Sequence, residues 1–238
     1  MKSFAGFPSS LFAFLSELSN NNNRAWFNEN KERYKADVVA PVTQFVSAMG
    51  DRLPEISDCF IADPRPNGGS MFRIYRDTRF SNNKKPYKEN VGCQFRHYLG
   101  KNAHAPGFYV HLEPSRVFFG AGIWKPDGQA LNKIRTAIAD SPVHWTKTVN
   151  GKDFKQRFAE LGGESLSRPP RGYDPNHPCI DDLKRKSFVV MQDVDPKMAL
   201  SSDFIAEVDQ AFKTAKPFME FLAFALDLPF NRPENYWK

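Results

Sequence analysis

The chain has 238 residues, is 41% apolar and carries 22 phenylalanines. That composition argues against intrinsic disorder and is sufficient to fill the core of one large domain. The net charge of +6, from 33 basic and 27 acidic residues, favours acidic partners such as phosphates, nucleotides or nucleic acid, but no long Lys/Arg run demands one.

Cys59, Cys93 and Cys179 are far apart and form no CxxC pair, so neither a zinc ribbon nor a thioredoxin-type site is supported. Reduced thiols in an intracellular protein are the expectation. The first residues carry one Lys before Phe4, and Pro8 interrupts the apolar stretch, which is unlike a signal peptide. No segment approaches the length of a membrane span. A cytoplasmic protein with no membrane partner is expected.

The predicted elements begin with helices. Ser9 and Ser10 precede Leu11, Phe12, Leu15 and Leu18, a helix start followed by helical apolar spacing. The run Asn20–Asn23 ends this helix and starts a second, which carries Trp26, Phe27 and Tyr34. Pro41 kinks or restarts it, and Val42, Phe45, Val46, Met49 and Leu53 form the next stripe. A Pro- and Gly-rich loop covers 62–70. From Ser70 the period becomes two, predicting strands at 71–79, 89–97, 107–113 and 116–124. Pro114 and Ser115 leave a two-residue connection, hence an antiparallel hairpin. Helical spacing returns at 127–140 and 152–161. After the Pro-rich loop 168–178 come a short helix, a strand from Phe188 to Met191, and a long helix from Ser202 to Leu226 containing Pro217. Strands clustered between helices predict an α+β fold: a helical part (1–60), a mainly antiparallel central sheet (70–125) with helices on one face, and helices plus one further strand (126–238), all in a single domain.

The stretch Arg73–Tyr87 carries the most distinctive chemistry. Arg73, Arg76, Asp77, Arg79, Phe80, Lys84 and Tyr87 fit the pattern RxxRDxRFxxxKxxY. This resembles the signature of a mainly bacterial family of about this length known only as a domain of unknown function. Asn21–Phe27, His111–Pro114, Gly120–Trp124, Gly172–Pro178 and Lys186–Val190 are similar to it too, so the resemblance spans nearly the whole chain. It implies no activity, cofactor or partner.

The residues themselves suggest an anion site. If 71–79 is a strand, Arg73, Tyr75, Asp77 and Arg79 share one face, and Arg76 is left among the apolar residues of the other. In the hairpin, Glu113 opposes Arg116, His111 opposes Phe118 and Tyr109 opposes Gly120. Tyr109, His111, Glu113, Arg116, Phe118 and Trp124 then share a polar face containing Gly120 and Gly122, where a ligand or another backbone can approach closely. The opposite face is wholly apolar. If the faces of the two segments coincide, Arg73, Arg76 and Arg79, with Lys84, Tyr87 and Trp124, would hold a phosphate- or carboxylate-bearing ligand. His111, with Glu113 or Asp77, is the candidate proton-transfer group of an enzyme. Those three could also assemble a mixed N/O metal site, although no metal or cofactor motif occurs. Two other readings stand beside this one. Basic and aromatic residues interleaved over 73–88 suit a nucleic-acid-binding module. Alternatively the Arg/Asp ladder is purely structural, in an interaction module.

Overall fold

The structure, a computed structural model, describes residues 4–100 and 105–232. Its N-terminal helices are α1 (Ser9–Asn20), α2 (Arg24–Glu29), α3 (Lys31–Arg33), α4 (Ala40–Gly50) and α5 (Leu53–Ile56). Asn23 caps α2 by accepting the Trp26 N–H at 3.0 Å, as asparagine does at a helix start. Tyr34–Val39 is π-helical and runs directly into α4. Pro41, at the start of α4, has no N–H to continue the preceding ladder, so the chain restarts there without breaking.

The sheet contains β1 (Phe60–Ile61), β2 (Val91–His97), β3 (Gly107–Glu113), β4 (Arg116–Ile123) and β5 (Phe188–Val194), antiparallel throughout and in chain order. Between β4 and β5 lie α6 (Gly128–Asp140), α7 (Pro142–Val149), α8 (Lys152–Phe158) and α9 (Ile180–Leu183). A 3₁₀ turn, Pro196–Leu200, leads to α10 (Phe204–Ala225), which continues through Pro217. The fold is α+β, as expected. Two elements were not anticipated. β1 is too short to show a period, and α7 opens on Pro142 and buries only Trp145 and Thr148.

The β3–β4 register is the one the two-residue turn dictates: Glu113 opposes Arg116, His111 opposes Phe118 and Tyr109 opposes Gly120. Phe108, Val110, Leu112, Val117, Phe119, Ala121 and Ile123 are buried on one face. α10 covers them, with Phe212 stacked on Phe108 at 4.4 Å. Trp145 seals the far end of α10, packed against Phe221 and donating its indole N–H to Asp182 at 2.7 Å. Cys59, Cys93 and Cys179 are free and buried.

The expected strand at 71–79 is not formed. Ser70 and Phe72 make two hydrogen bonds to the edge of β2, Gln94 N–H to Ser70 O and Phe72 N–H to Gly92 O, both 2.8 Å. The chain then leaves the sheet as an arm. Only isolated bridges remain, Met71 opposite Cys93 and Tyr75 opposite Tyr87. The arm folds back on itself through Arg76 N–H to Pro86 O and Lys88 N–H to Ile74 O. Pro86 can donate no ladder bond, and Arg76 interrupts the apolar side of the segment, so a sheet strand gains little here.

Gly122 has φ +127, and a Cβ there would lie 2.1 Å from the Phe188 carbonyl oxygen; at Gly120 it would lie 2.2 Å from that of Val190. These glycines therefore let the β5 backbone close on β4. Gly128, by contrast, has open space around it. Gly122→Ala is expected to lower unfolding stability by more than about 1 kcal/mol, whereas Gly128→Ala should leave it unchanged or higher. Denaturant titration of the two variants measures the difference.

Candidate functional site

One face of the sheet is left uncovered by the helices. Gln94 and Arg96 of β2, Tyr109, His111 and Glu113 of β3, Arg116 and Phe118 of β4, and Met191 and Asp193 of β5 project onto it, because each register pair carries its two side chains to the same side. Phe72 leans over its β2 edge and Trp124 stands at the end of β4. Together Phe72, Gln94, Tyr109, Phe118, Trp124 and Met191 line a cleft of about 650 Å³ with Gly107, Gly120 and Gly122 among its walls. That volume suits a small ligand.

His111 lies between two partners on its own strand. Its Nε2 is 3.2 Å from Glu113 Oε2, and its Nδ1 is 3.2 Å from the Tyr109 hydroxyl and 3.4 Å from Asn90 Nδ2. A carboxylate only accepts, so Nε2 carries the proton and Nδ1 accepts from Tyr109. The imidazole stacks on Phe118 at 4.6 Å and 16°. Burial holds its pKa below the usual value, against the opposing pull of Glu113. Burial also pushes the Tyr109 phenol up to about 12, so it stays protonated. Ser115 Oγ donates to the other Glu113 oxygen at 3.2 Å.

The cations of this face divide into two groups. Arg116 is held by Asp193 through two hydrogen bonds of 2.5 and 3.2 Å and lies 4.4 Å over the Phe118 ring. At the other end, Lys88 and Arg96 stand over the Phe72 ring, at 5.2 and 5.7 Å. Lys88 donates to the Arg73 carbonyl at 2.9 Å, and Arg96 to the Gln94 side chain at 3.0 Å. Among the described residues, no carboxylate pairs with Arg73, Lys88 or Arg96. Burial, and then the charge of Arg73, lower the Lys88 pKa.

The expected coincidence of the two polar segments is therefore only partial. His111, Glu113 and Trp124 lie on the open face, and the charge of Arg73 falls near Lys88. Asp77 and Arg79 do not belong to it: they pair with each other in the exposed arm, Nη2 to Oδ2 at 2.7 Å. Local charge complementarity two residues apart satisfies them before the sheet can use them. Asp77 is thus no partner for His111, and the mixed metal site of Asp77, His111 and Glu113 is not assembled. Among the described residues no group of three or more His, Cys, Asp or Glu side chains is placed to hold a metal ion. Lys84 donates to the Thr78 carbonyl at 3.0 Å. Tyr87 is buried, stacked on Phe27 at 4.2 Å, and its backbone is clamped by the Asn22 side-chain amide. Arg76 is half-buried, its charge near Glu89, which Asn22 and Lys85 hold at 2.8 and 2.7 Å. His177 is a local cap: Nδ1 accepts the Cys179 N–H and Nε2 faces the Ala139 carbonyl.

Sequence reasoning missed Phe72, Arg96 and Asn90. Arg96 was legible in principle, since it alternates with Gly92 and Gln94. Phe72 would fall on the apolar side of a 71–79 strand, but the pairing ends after one bridge. A larger cavity of about 940 Å³ lies between α7, α8 and α10. Its Arg157 is paired with Glu207, and its Lys213 with Asp209 and Glu55.

Two predictions concern these residues. Tyr87→Ala should cost about 3–5 kcal/mol, as for a buried ring, while Arg79→Ala should leave the thermal midpoint unchanged. Calorimetry of the two variants separates packing from surface charge within one motif. His111 and His97, the latter buried with Nε2 at 2.8 Å from the Pro229 carbonyl, both have pKa values lowered chiefly by burial. The unfolded chain then takes up their protons first. Stability contributed by the neutral rings should be lost as pH falls below about 6.5, and His111→Gln should remove part of that loss in a pH series of thermal midpoints.

Comparison with known protein families matches residues 10–221 to the family described as conserved hypothetical protein, DUF2461. The chain belongs to that family. No curated protein matches the chain. No helix among the described residues is long and apolar enough to cross a membrane.

Proposed function

We propose that this member of the DUF2461 family binds a small anionic ligand on the open face of its sheet. The ligand's phosphate or carboxylate lies against Arg73, Lys88 and Arg96, and a flat apolar body extends along Phe72, Tyr109, Phe118 and Trp124. The observation that carries the reading is the pair Lys88 and Arg96 over the Phe72 ring, with the charge of Arg73 near Lys88 and no carboxylate pairing any of the three among the described residues, where Phe72 borders an aromatic cleft. Like charges gathered without a counter-ion repel one another, and an anion relieves that cost. Guanidinium forks add directional hydrogen bonds to its oxygens.

The test is calorimetric titration with a panel of nucleotides, phosphosugars and dicarboxylates. At least one should bind wild type, and Arg96→Ala and Lys88→Ala should each weaken it at least tenfold. Arg79→Ala, whose charge is already neutralised by Asp77, should bind as wild type. Failure of the whole panel, or equal binding by the Arg96 and Lys88 variants, would sink the reading.

A second reading is a nucleic-acid surface on the arm 73–88. It is favoured by Phe80, 95% exposed with Arg79 over its ring at 5.7 Å, and by Tyr75, 57% exposed, among Arg73, Arg76, Lys84 and Lys85. Exposed rings interleaved with cations suit stacking plus phosphate contact. Affinity for single strands that falls steeply with salt and is lost in Phe80→Ala would favour it over the small-ligand site.

A further inference from the structure

We infer that Tyr109, His111 and Glu113 form a proton-accepting relay that serves the open face, and that it drives hydrolysis of an ester carried by the bound anion. This rests on the reading of that face as an anion site.

Position comes first. Tyr109 lines the cleft, its ring lies 6.0 Å from Phe72, and its hydroxyl reaches so far over β2 that a Cβ on Gly92 would stand 2.5 Å from it. Lys88 and Arg96 stand over the same Phe72 ring. An anion they hold lies at the Phe72 ring, which Tyr109 also borders. The hydrogen bonds also have one polarity. Tyr109 donates to His111 Nδ1 and His111 Nε2 donates to Glu113, each at 3.2 Å, so a proton entering at Tyr109 has an empty acceptor behind it. The far end is wet: the Glu113 side chain is 40% exposed, against 14% for His111, and can stabilise an imidazolium from the solvent side.

The groups facing His111 agree with that direction of transfer. Tyr109 and Glu113 flank it on β3, Asn90 precedes β2, Phe118 and Arg116 come from β4 and Asp193 from β5. Burial keeps the ring neutral and able to accept, while Glu113 and Asp193 oppose burial and limit the cost of the imidazolium. The Tyr109 phenol, pushed up to about 12, regains its proton readily.

The step balances without a further reagent. Water held against Tyr109 loses a proton to the phenol oxygen as the phenol proton passes to His111 Nδ1. The water oxygen bonds to the ester centre. The ester bond to the leaving oxygen then breaks, and the departing alkoxide takes the proton back from Nδ1 through Tyr109. Acid and alcohol leave, and the relay returns to its starting form. Tyr109 is the catalytic residue, and His111 and Glu113 act through it.

4-Nitrophenyl phosphate and mono-4-nitrophenyl succinate combine an anion with a ring that fits the cleft. Binding and release of 4-nitrophenol are measured for the full chain, Tyr109→Phe and His111→Gln. Wild type should hydrolyse at least one probe. Tyr109→Phe should lose about 100-fold or more in kcat with binding retained. Wild-type kcat should rise with pH through an ionisation below the ordinary histidine value, and His111→Gln should abolish that rise. Probes that bind but are not hydrolysed, or a Tyr109→Phe variant as fast as wild type, overturn the relay and leave the anion site standing. Probes that do not bind overturn both.

Discussion

The two-residue turn at Pro114 and Ser115 is the constraint on which the rest of the molecule depends. It sets Glu113 opposite Arg116, and the period of two then carries that choice along β3 and β4. Seven apolar side chains go to the helix-covered face, Phe108 and Phe119 among them, while Tyr109, His111 and Phe118 go to the other. A slip of one residue would bury His111 and Glu113 and expose the core. The same register fixes which residues of β2 and β5 come alongside, so Arg96 and Asp193 reach the open face through pairing alone.

The electrostatics of that face follow from which cations have partners close in the chain or across the sheet. Arg116 has Asp193 on the neighbouring strand, so its charge is largely spent on the β4–β5 edge. Arg79 has Asp77 two residues away and is neutralised within the arm. Arg73, Lys88 and Arg96 have no such partner among the described residues, and they meet because the arm crosses β2 at Phe72. The cations of that face that lack a carboxylate partner therefore gather at the Phe72 end.

The arm owes its course to packing more than to charge. Tyr87 stacks on Phe27 of α2, and the Asn22 side-chain amide, in the turn between α1 and α2, meets the Tyr87 backbone N–H and carbonyl. Asn22 also contacts Glu89, which draws Lys85 and the charge of Arg76 to the same junction. The arginine-rich motif thus does two jobs. Its tyrosine tethers the arm to the helical part, and its first arginine brings its charge near Lys88.

The sequence by itself determined the α+β class, the strands from β2 to β5 within a few residues, the β3–β4 register and the face shared by Tyr109, His111, Glu113, Phe118 and Trp124. Each follows from a local rule: alternation, helical spacing, or a turn too short to permit another pairing. It offered Tyr87 as a ligand residue, whereas the structure buries its ring against Phe27. Tertiary structure alone decided that 71–79 leaves the sheet, that Asp77 and Arg79 satisfy each other away from the site, and that Phe72 and Arg96 come together with Lys88. The physical reason is that a period of two reports which residues share a side only while a strand has a neighbour to pair with. Past Phe72 the edge of β2 offers no further ladder, and the course of the chain is set by a buried tyrosine and an asparagine clamp contributed by residues about sixty positions earlier, which no local pattern encodes.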